Sequence, residues 1–294
     1  MLIAIKRRKL RRALSGALLA AVLIGLPFFP LPPRDAPVMA PAEAQGTPLP
    51  AVMYHSLLRD PALAGPYVLS PDVLESDILY LKQKGYEPIT MSQAIDYVLG
   101  GGALPEKPVL LTLDDGNVNN LLYLPDILER TDACAVVSIV GQYAQQFTDT
   151  PDPNPSYGYM NWQEISELAG SGRVEIGNHS YGFHAQSPRR GSTKMEGETA
   201  EQYRAALTQD AQRLQDALTA NCGITPRVYT YPYGQITDGA DDILQDMGFA
   251  ATLSCYERVT VLVPGDASTL FSIGRYNRPS GISSADFFQK MGIS

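Results

Sequence analysis

All three histidines of this chain lie beside other groups that are able to do chemistry. His55 ends a short apolar segment, while His179 and His184 lie five residues apart in one polar segment. Between them, a longer apolar run is followed by two adjacent carboxylates, Asp114 and Asp115, and a glycine. One carboxylate and two imidazoles are typical ligands of a catalytic metal ion with an open coordination position. Because the other carboxylate and imidazole remain free to exchange protons, the sequence indicates a mononuclear metal hydrolase.

Each of these groups also has an ordinary structural interpretation. Asp-Gly pairs such as Asp115-Gly116 are common in surface turns, and an isolated histidine is more often packed or solvated than bound to metal. However, two of only three histidines lie five residues apart directly after an apolar run. This placement favours metal ligands for His179 and His184, whereas a packed core histidine remains the alternative for His55.

The ends of predicted strands position these residues. Short apolar runs predict seven buried strands, over 52–54, 109–113, 135–140, 174–176, 228–231, 250–253 and 271–273. Helices are predicted between many of them, including 72–84, 162–169 and 200–220, which begin at Ser70-Pro71, Asn161 and Thr199. This alternation predicts an α/β domain with a mostly parallel sheet, closed or distorted into a barrel. Catalytic groups in such barrels lie directly after the strands.

A turn after the predicted strand over 228–231 carries the motif Tyr231-Pro232-Tyr233-Gly234. Proline fixes the backbone and glycine permits a sharp turn, so the amide of Tyr233 is able to face an oxyanion. Tyr233 and Pro232 are therefore candidate oxyanion-binding or substrate-binding residues.

Four motifs occur in a characteristic order: Met53-Tyr54-His55, Thr112-Leu113-Asp114-Asp115-Gly116, His179-Ser180 to His184, and Tyr231-Pro232-Tyr233-Gly234. Together they resemble the polysaccharide deacetylases of the NodB-homology type, carbohydrate esterase family 4, over about 49–294. The resemblance implies a distorted (β/α) barrel, with Asp114 as catalytic base and Asp115, His179 and His184 as metal ligands. It implies one divalent ion, and this ligand set suits Zn²⁺ but would also accept Co²⁺, Ni²⁺ or Mn²⁺.

Two departures from the family pattern affect the remaining roles. Many members carry an arginine before the Pro-Tyr motif that orients the base, whereas Tyr and Thr residues precede Pro232 here. Many also carry a late Leu-x-His motif that supplies the general acid, but no histidine follows His184. The chain looks closer to the branch that deacetylates poly-N-acetylglucosamine, where a first-strand histidine at the place of His55 is thought to be the acid. Arg275 is a candidate for the missing arginine, with a surface arginine as the alternative.

Charge separates the start of the chain from the rest. Six of the 23 Lys and Arg residues lie between residues 6 and 12, which leaves 17 against 31 acidic residues downstream. This acidic body argues against a nucleic-acid partner, since phosphate binding depends on clustered basic side chains. The three cysteines show no metal-binding spacing, and we assign them no function.

The basic start is followed by residues 13–33, which contain no charged residue. This pattern is typical of a signal peptide or an N-terminal membrane anchor. We predict an uncleaved anchor over 1–33, with secretion as the alternative. A Pro/Ala-rich linker is predicted over 34–50 and the catalytic domain over 51–294, as one large or two small domains.

The resemblance implies an extracytoplasmic enzyme that removes acetyl groups from N-acetylglucosamine units of an extracellular or cell-wall polysaccharide, peptidoglycan included. One alternative is an O-deacetylase of an acetylated glycan such as xylan, because ester and amide hydrolysis use the same groups. Another is a glycan-binding pseudoenzyme that has kept the fold. The segments 142–159 and 185–198 are expected to shape the sugar pocket.

Overall fold

A computed structural model describes residues 46–294 of the chain. The predicted anchor over 1–33 and residues 34–45 of the predicted linker lie outside the described residues. Within 46–294, no helix has both the length and the apolar character needed to cross a membrane. The described residues all belong to one compact unit, so the catalytic region is not divided into two small domains.

Twelve strands and eight α-helices alternate along much of the described chain. The strands are β1 Thr47–Leu49, β2 Ala51–Tyr54, β3 Ser56–Leu57, β4 Val68–Leu69, β5 Glu87–Ile89, β6 Pro108–Leu113, β7 Ala135–Ile139, β8 Val174–Asn178, β9 Val228–Thr230, β10 Ala251–Leu253, β11 Thr260–Leu262 and β12 Tyr276–Asn277. The helices are α1 Pro71–Gln83, α2 Met91–Gly100, α3 Val118–Arg130, α4 Gly141–Asp149, α5 Trp162–Gly170, α6 Ala200–Cys222, α7 Ala240–Asp246 and α8 Ser284–Lys290.

The main sheet has eight parallel strands and curls strongly. Its order is β10-β9-β8-β7-β6-β2-β12, and β5 pairs with the first half of β6. The two ends of the sheet approach each other, because Leu253 of β10 forms a parallel bridge with Ile273, just before β12. All residues of β2, β6, β7 and β9 are buried, as expected when both faces of a parallel sheet are covered. The predicted distorted (β/α) barrel is confirmed.

Capping residues fix the starts of the predicted helices. Ser70 caps α1 with Pro71 in the first turn, where proline has no hydrogen bond to lose. Asn161 and Thr199 form capping boxes that begin α5 and α6, and Gly223 ends α6 in the left-handed conformation. Local sequence therefore determined these helix boundaries to within a few residues.

The structure corrects three predicted boundaries. Residues 271–273 are not a strand, since Ser272 has a left-handed φ of 53° that interrupts an extended backbone, and the strand is β12 instead. The domain begins before residue 51, because β1 pairs antiparallel with β11. The segment 142–159, which was expected to be a loop that shapes the sugar pocket, begins inside helix α4.

Candidate active site

Parallel strands bring the predicted site residues to one edge of the sheet. His55, Asp114 and His179 are the first residues after β2, β6 and β8, and the carboxyl ends of parallel strands face the same way. Six of the eight predicted site residues line one cavity of about 510 Å³: His55, Asp114, Asp115, His179, His184 and Tyr233. The other two, Pro232 and Arg275, are buried beside it.

Asp115, His179 and His184 converge on one point. Asp115 Oδ1 lies 3.0 Å from His184 Nε2 and 3.5 Å from His179 Nε2. One potential ligand atom from each residue lies within 4.8 Å of the other two. Burial alone would raise the pKa of Asp115, but the imidazoles of His179 and His184 beside its carboxylate, together with His55, outweigh burial and hold the pKa well below its usual range.

The hydrogen bonds behind these residues favour metal binding. His179 Nδ1 lies 2.8 Å from the carbonyl oxygen of Thr230, and a carbonyl only accepts, so Nδ1 carries the proton and Nε2 presents a lone pair. His184 Nδ1 lies 3.3 Å from the Tyr143 hydroxyl, leaving Nε2 toward Asp115. Two imidazoles and one carboxylate that converge in this way are a donor set that fits a divalent metal ion.

A left-handed turn separates the two carboxylates. Asp115 and Gly116 have φ values of 74° and 76°, a conformation that aspartate tolerates better than most residues and glycine adopts freely. A side chain at position 116 would place its Cβ 2.9 Å from the Ile139 side chain. The Asp-Asp-Gly motif thus lets Asp115 reach the histidines while Asp114 turns toward a different partner.

That partner is Arg275, which is fully buried rather than on the surface. Its Nη1 and Nη2 atoms donate to Asp114 Oδ1 and Oδ2 at 2.7 and 2.8 Å. Further bonds to the Thr112 hydroxyl at 3.0 Å and the Ser254 carbonyl at 2.9 Å fix the guanidinium. Burial alone would raise the pKa of Asp114, but the charge and hydrogen bonds of Arg275 and the charges of His179 and His55 together outweigh burial, and the pKa is lowered. Asp114 is therefore held ionised in one orientation.

The loop that carries His184 is fastened to helix α6. Asp210 on α6 accepts hydrogen bonds from the backbone amides of Tyr181 at 2.9 Å and Gly182 at 2.7 Å. The Arg213 guanidinium stacks on the Tyr181 ring at 3.7 Å from its centroid. These contacts explain how residues five apart, outside any helix, direct both imidazoles to one point.

Two asparagines at the start of α3 hold the backbone that carries His55. Asn120 Nδ2 donates to the His55 carbonyl at 2.9 Å, and Asn119 Oδ1 accepts from the Leu57 amide at 2.9 Å. His55 Nδ1 is buried, and within 46–294 it has no hydrogen-bond partner, so Nε2 is the nitrogen available to the cavity. Burial lowers the pKa of His55, although Asp114 and Asp115 oppose this shift.

Half of the cavity lining was not among the predicted site residues. The remaining lining residues are Met53, Tyr67, Gln186, Arg190, Cys255 and Asn277. Gln186 and Arg190 belong to the segment 185–198 that was expected to shape the sugar pocket, whereas no local pattern marks Tyr67, Cys255 or Asn277. Pro232 does not line the cavity, and Tyr233 adopts a left-handed φ of 58° that places its ring 4.6 Å from the His184 ring.

The sequence profile of the polysaccharide deacetylase family matches residues 101–252, just over half of the chain. The chain belongs to this family. The matched region contains Asp114, Asp115, His179 and His184 but neither His55 nor Arg275, so these two positions are outside the shared profile.

Two poly-β-1,6-N-acetyl-D-glucosamine N-deacetylases, from Escherichia coli K12 and O157:H7, are each 27% identical to this family member over 82% of its length. The chain spans 38% of the length of these curated relatives. The structure of IcaB from Ammonifex degensii matches with a TM-score of 0.64 and 26% identity, covering 80% of this chain and 94% of that one. The de-N-acetylase from Aggregatibacter actinomycetemcomitans matches in fold with a TM-score of 0.69 and 24% identity, covering 83% and 100%.

Proposed function

We propose that this chain is a metal-dependent N-deacetylase acting on N-acetylglucosamine units of a polysaccharide outside the cytoplasm. The observation that carries the proposal is the convergence of three groups in one cavity: an Arg-bound carboxylate, a set of potential metal ligands and a separate imidazole. The relatives named poly-β-1,6-N-acetyl-D-glucosamine N-deacetylase support the choice of an N-acetylated glycan.

Asp115, His179 and His184 would hold the divalent ion, which we propose to be Zn²⁺. When bound, such an ion supplies Lewis-acid polarisation of an acyl oxygen and lowers the pKa of water. Among the described residues 46–294, Asp114 is the only other carboxylate that lines the cavity. Because Arg275 occupies both of its oxygens from one side, Asp114 keeps a fixed orientation from which it accepts the proton of the attacking water.

His55 then supplies the proton that the departing amine needs. Its buried Nδ1 leaves Nε2 as the nitrogen available to the cavity, from which a proton passes to the departing nitrogen, and the proton that Asp114 accepted from water restores His55 afterwards. The Tyr233 amide is assigned to the oxyanion that forms when water adds to the carbonyl carbon. Breaking of the carbon–nitrogen bond gives acetate and a free glucosamine unit.

Acetate release by the purified protein tests the proposal. The substrates are poly-β-1,6-N-acetylglucosamine, chitooligosaccharides, peptidoglycan and acetyl-xylan, with Asp114→Asn as the inactive control. We expect release from an N-acetylated glycan that depends on added divalent metal. Release from acetyl-xylan alone would instead establish an O-deacetylase, and glycan binding without any release would establish a pseudoenzyme.

A further inference from the structure

Tyr67 is an exposed aromatic residue at the cavity, with a role that the mechanism leaves open. Its side chain is 59% exposed and lines the same cavity as His55. The two rings meet edge to face, with centroids 4.8 Å apart and an angle of 64° between their planes. Single exposed aromatic residues are common on protein surfaces. The exposure of Tyr67 is informative only because its ring contacts His55 at the cavity.

The turn that presents Tyr67 is held rigidly although it lies at the surface. Its ends are joined by a hydrogen bond from the Gly65 amide to the Val68 carbonyl at 3.1 Å. Asn277, which also lines the cavity, donates from Nδ2 to the Pro66 carbonyl at 3.0 Å. The Ser280 amide donates to the Gly65 carbonyl at 3.1 Å. An exposed ring on a fixed turn loses little conformational freedom when a ligand packs on it.

The mechanism determines which part of the substrate reaches this ring. The acyl carbon must lie near Asp114 and Asp115, while the departing nitrogen must lie near His55. The sugar is bonded to that nitrogen, so it lies beside His55, and Tyr67 is the exposed ring that contacts His55 at the cavity. One face of a pyranose ring presents C–H groups, and an aromatic ring both contacts this face and removes it from water.

We propose that Tyr67 is the stacking surface for the pyranose ring of the sugar unit whose N-acetyl group is removed. This inference rests on the proposed function and deepens it, since it makes the sugar ring, and not the acetyl group alone, a recognised part of the substrate. The proposal assigns recognition of the sugar to the aromatic ring of Tyr67 and not to its hydroxyl.

The test compares a glycan substrate with one that lacks a sugar. For Tyr67→Ala, we expect the ratio of kcat/KM on a β-1,6-linked N-acetylglucosamine tetramer to kcat/KM on N-methylacetamide, an acetamide without a sugar, to fall about tenfold, through a higher KM on the tetramer. Tyr67→Phe should keep the ratio because it keeps the ring. Tyr157→Ala is the matched control, because Tyr157 is 57% exposed and does not line the cavity.

Equal losses on both substrates would overturn the proposal, because the ring would then support His55 rather than bind sugar. A loss in Tyr67→Phe equal to that in Tyr67→Ala would also overturn it. Tetramer binding to the Asp114→Asn protein, measured by calorimetry, separates this inference from the proposed function. Binding that weakens about tenfold when Tyr67→Ala is added supports stacking even if wild-type protein releases no acetate, and unchanged binding refutes stacking.

Discussion

Replacing Arg275 with methionine should damage both stability and activity. The change leaves Asp114 as an unpaired charge in a site where both side chains are at most 3% exposed. Breaking a buried ion pair on one side typically costs about 3–5 kcal/mol. For a domain of this size, about 1 kcal/mol shifts Tm by roughly 2–4 °C, so we expect Arg275→Met to lower Tm by on the order of 10 °C.

A double-mutant cycle isolates the pair. Adding Asp114→Asn to Arg275→Met removes the unpaired buried charge, so the double variant should be more stable than Arg275→Met alone. Arg227→Met is the matched control, because Arg227 pairs with Asp96 where the two side chains are 44% and 63% exposed. An exposed pair of this kind contributes about 0–1 kcal/mol, and Tm should change by no more than a few degrees.

The assays are thermal unfolding followed by circular dichroism and acetate release from an N-acetylated oligomer. Arg275→Lys should recover part of the stability, since it keeps a charge, but little of the activity, since a lysine cannot hold both oxygens of Asp114 in one plane. Strictly additive losses in the double variant, or a Tm loss no greater than that of Arg227→Met, would refute the assigned pairing. Full activity in Arg275→Lys would refute the orienting role.

Three further outcomes are expected. His179→Ala and His184→Ala should each lose the bound ion, as measured by elemental analysis, because two remaining protein ligands are too few. Asp114→Asn should keep the ion and lose turnover. Full metal occupancy in both histidine variants would contradict the proposed metal site. His55→Ala should lower kcat on an N-acetylated oligomer by about 10²–10⁴-fold, and on an O-acetyl substrate by less, since a departing amine needs protonation more than a departing alkoxide does. Equal losses of kcat on both substrates, together with a lower Tm, would show that His55 is a packed core residue and not the acid. Full-length protein should fractionate with membranes, whereas a form that lacks residues 1–45 should be soluble and active. Recovery from the medium of a chain that starts near residue 45 would instead establish cleavage of the N-terminal segment.

The sequence by itself determined the features that depend on neighbouring residues. The Asp-Asp-Gly turn, the two histidines five apart and the capping boxes of α5 and α6 are local patterns, because turn and cap geometry involves residues only a few positions apart. Alternating strands and helices were enough to predict a parallel barrel, since a helix between two strands makes the strands parallel and leaves few other arrangements of the sheet. The same patterns placed Asp114, Asp115, His179 and Tyr233 after predicted strands, where parallel topology brings them together.

Only the tertiary structure decided which distant residues meet. Arg275 and Asp114 are 161 residues apart along the chain, and their pairing depends on the curl of the sheet that brings β12 beside β2. The hydrogen bond from Asn120 to the His55 carbonyl also joins separate segments, and so does the position of Tyr67 in the cavity lining. No spacing rule encodes such contacts, because they arise from the packing of whole elements around a common core.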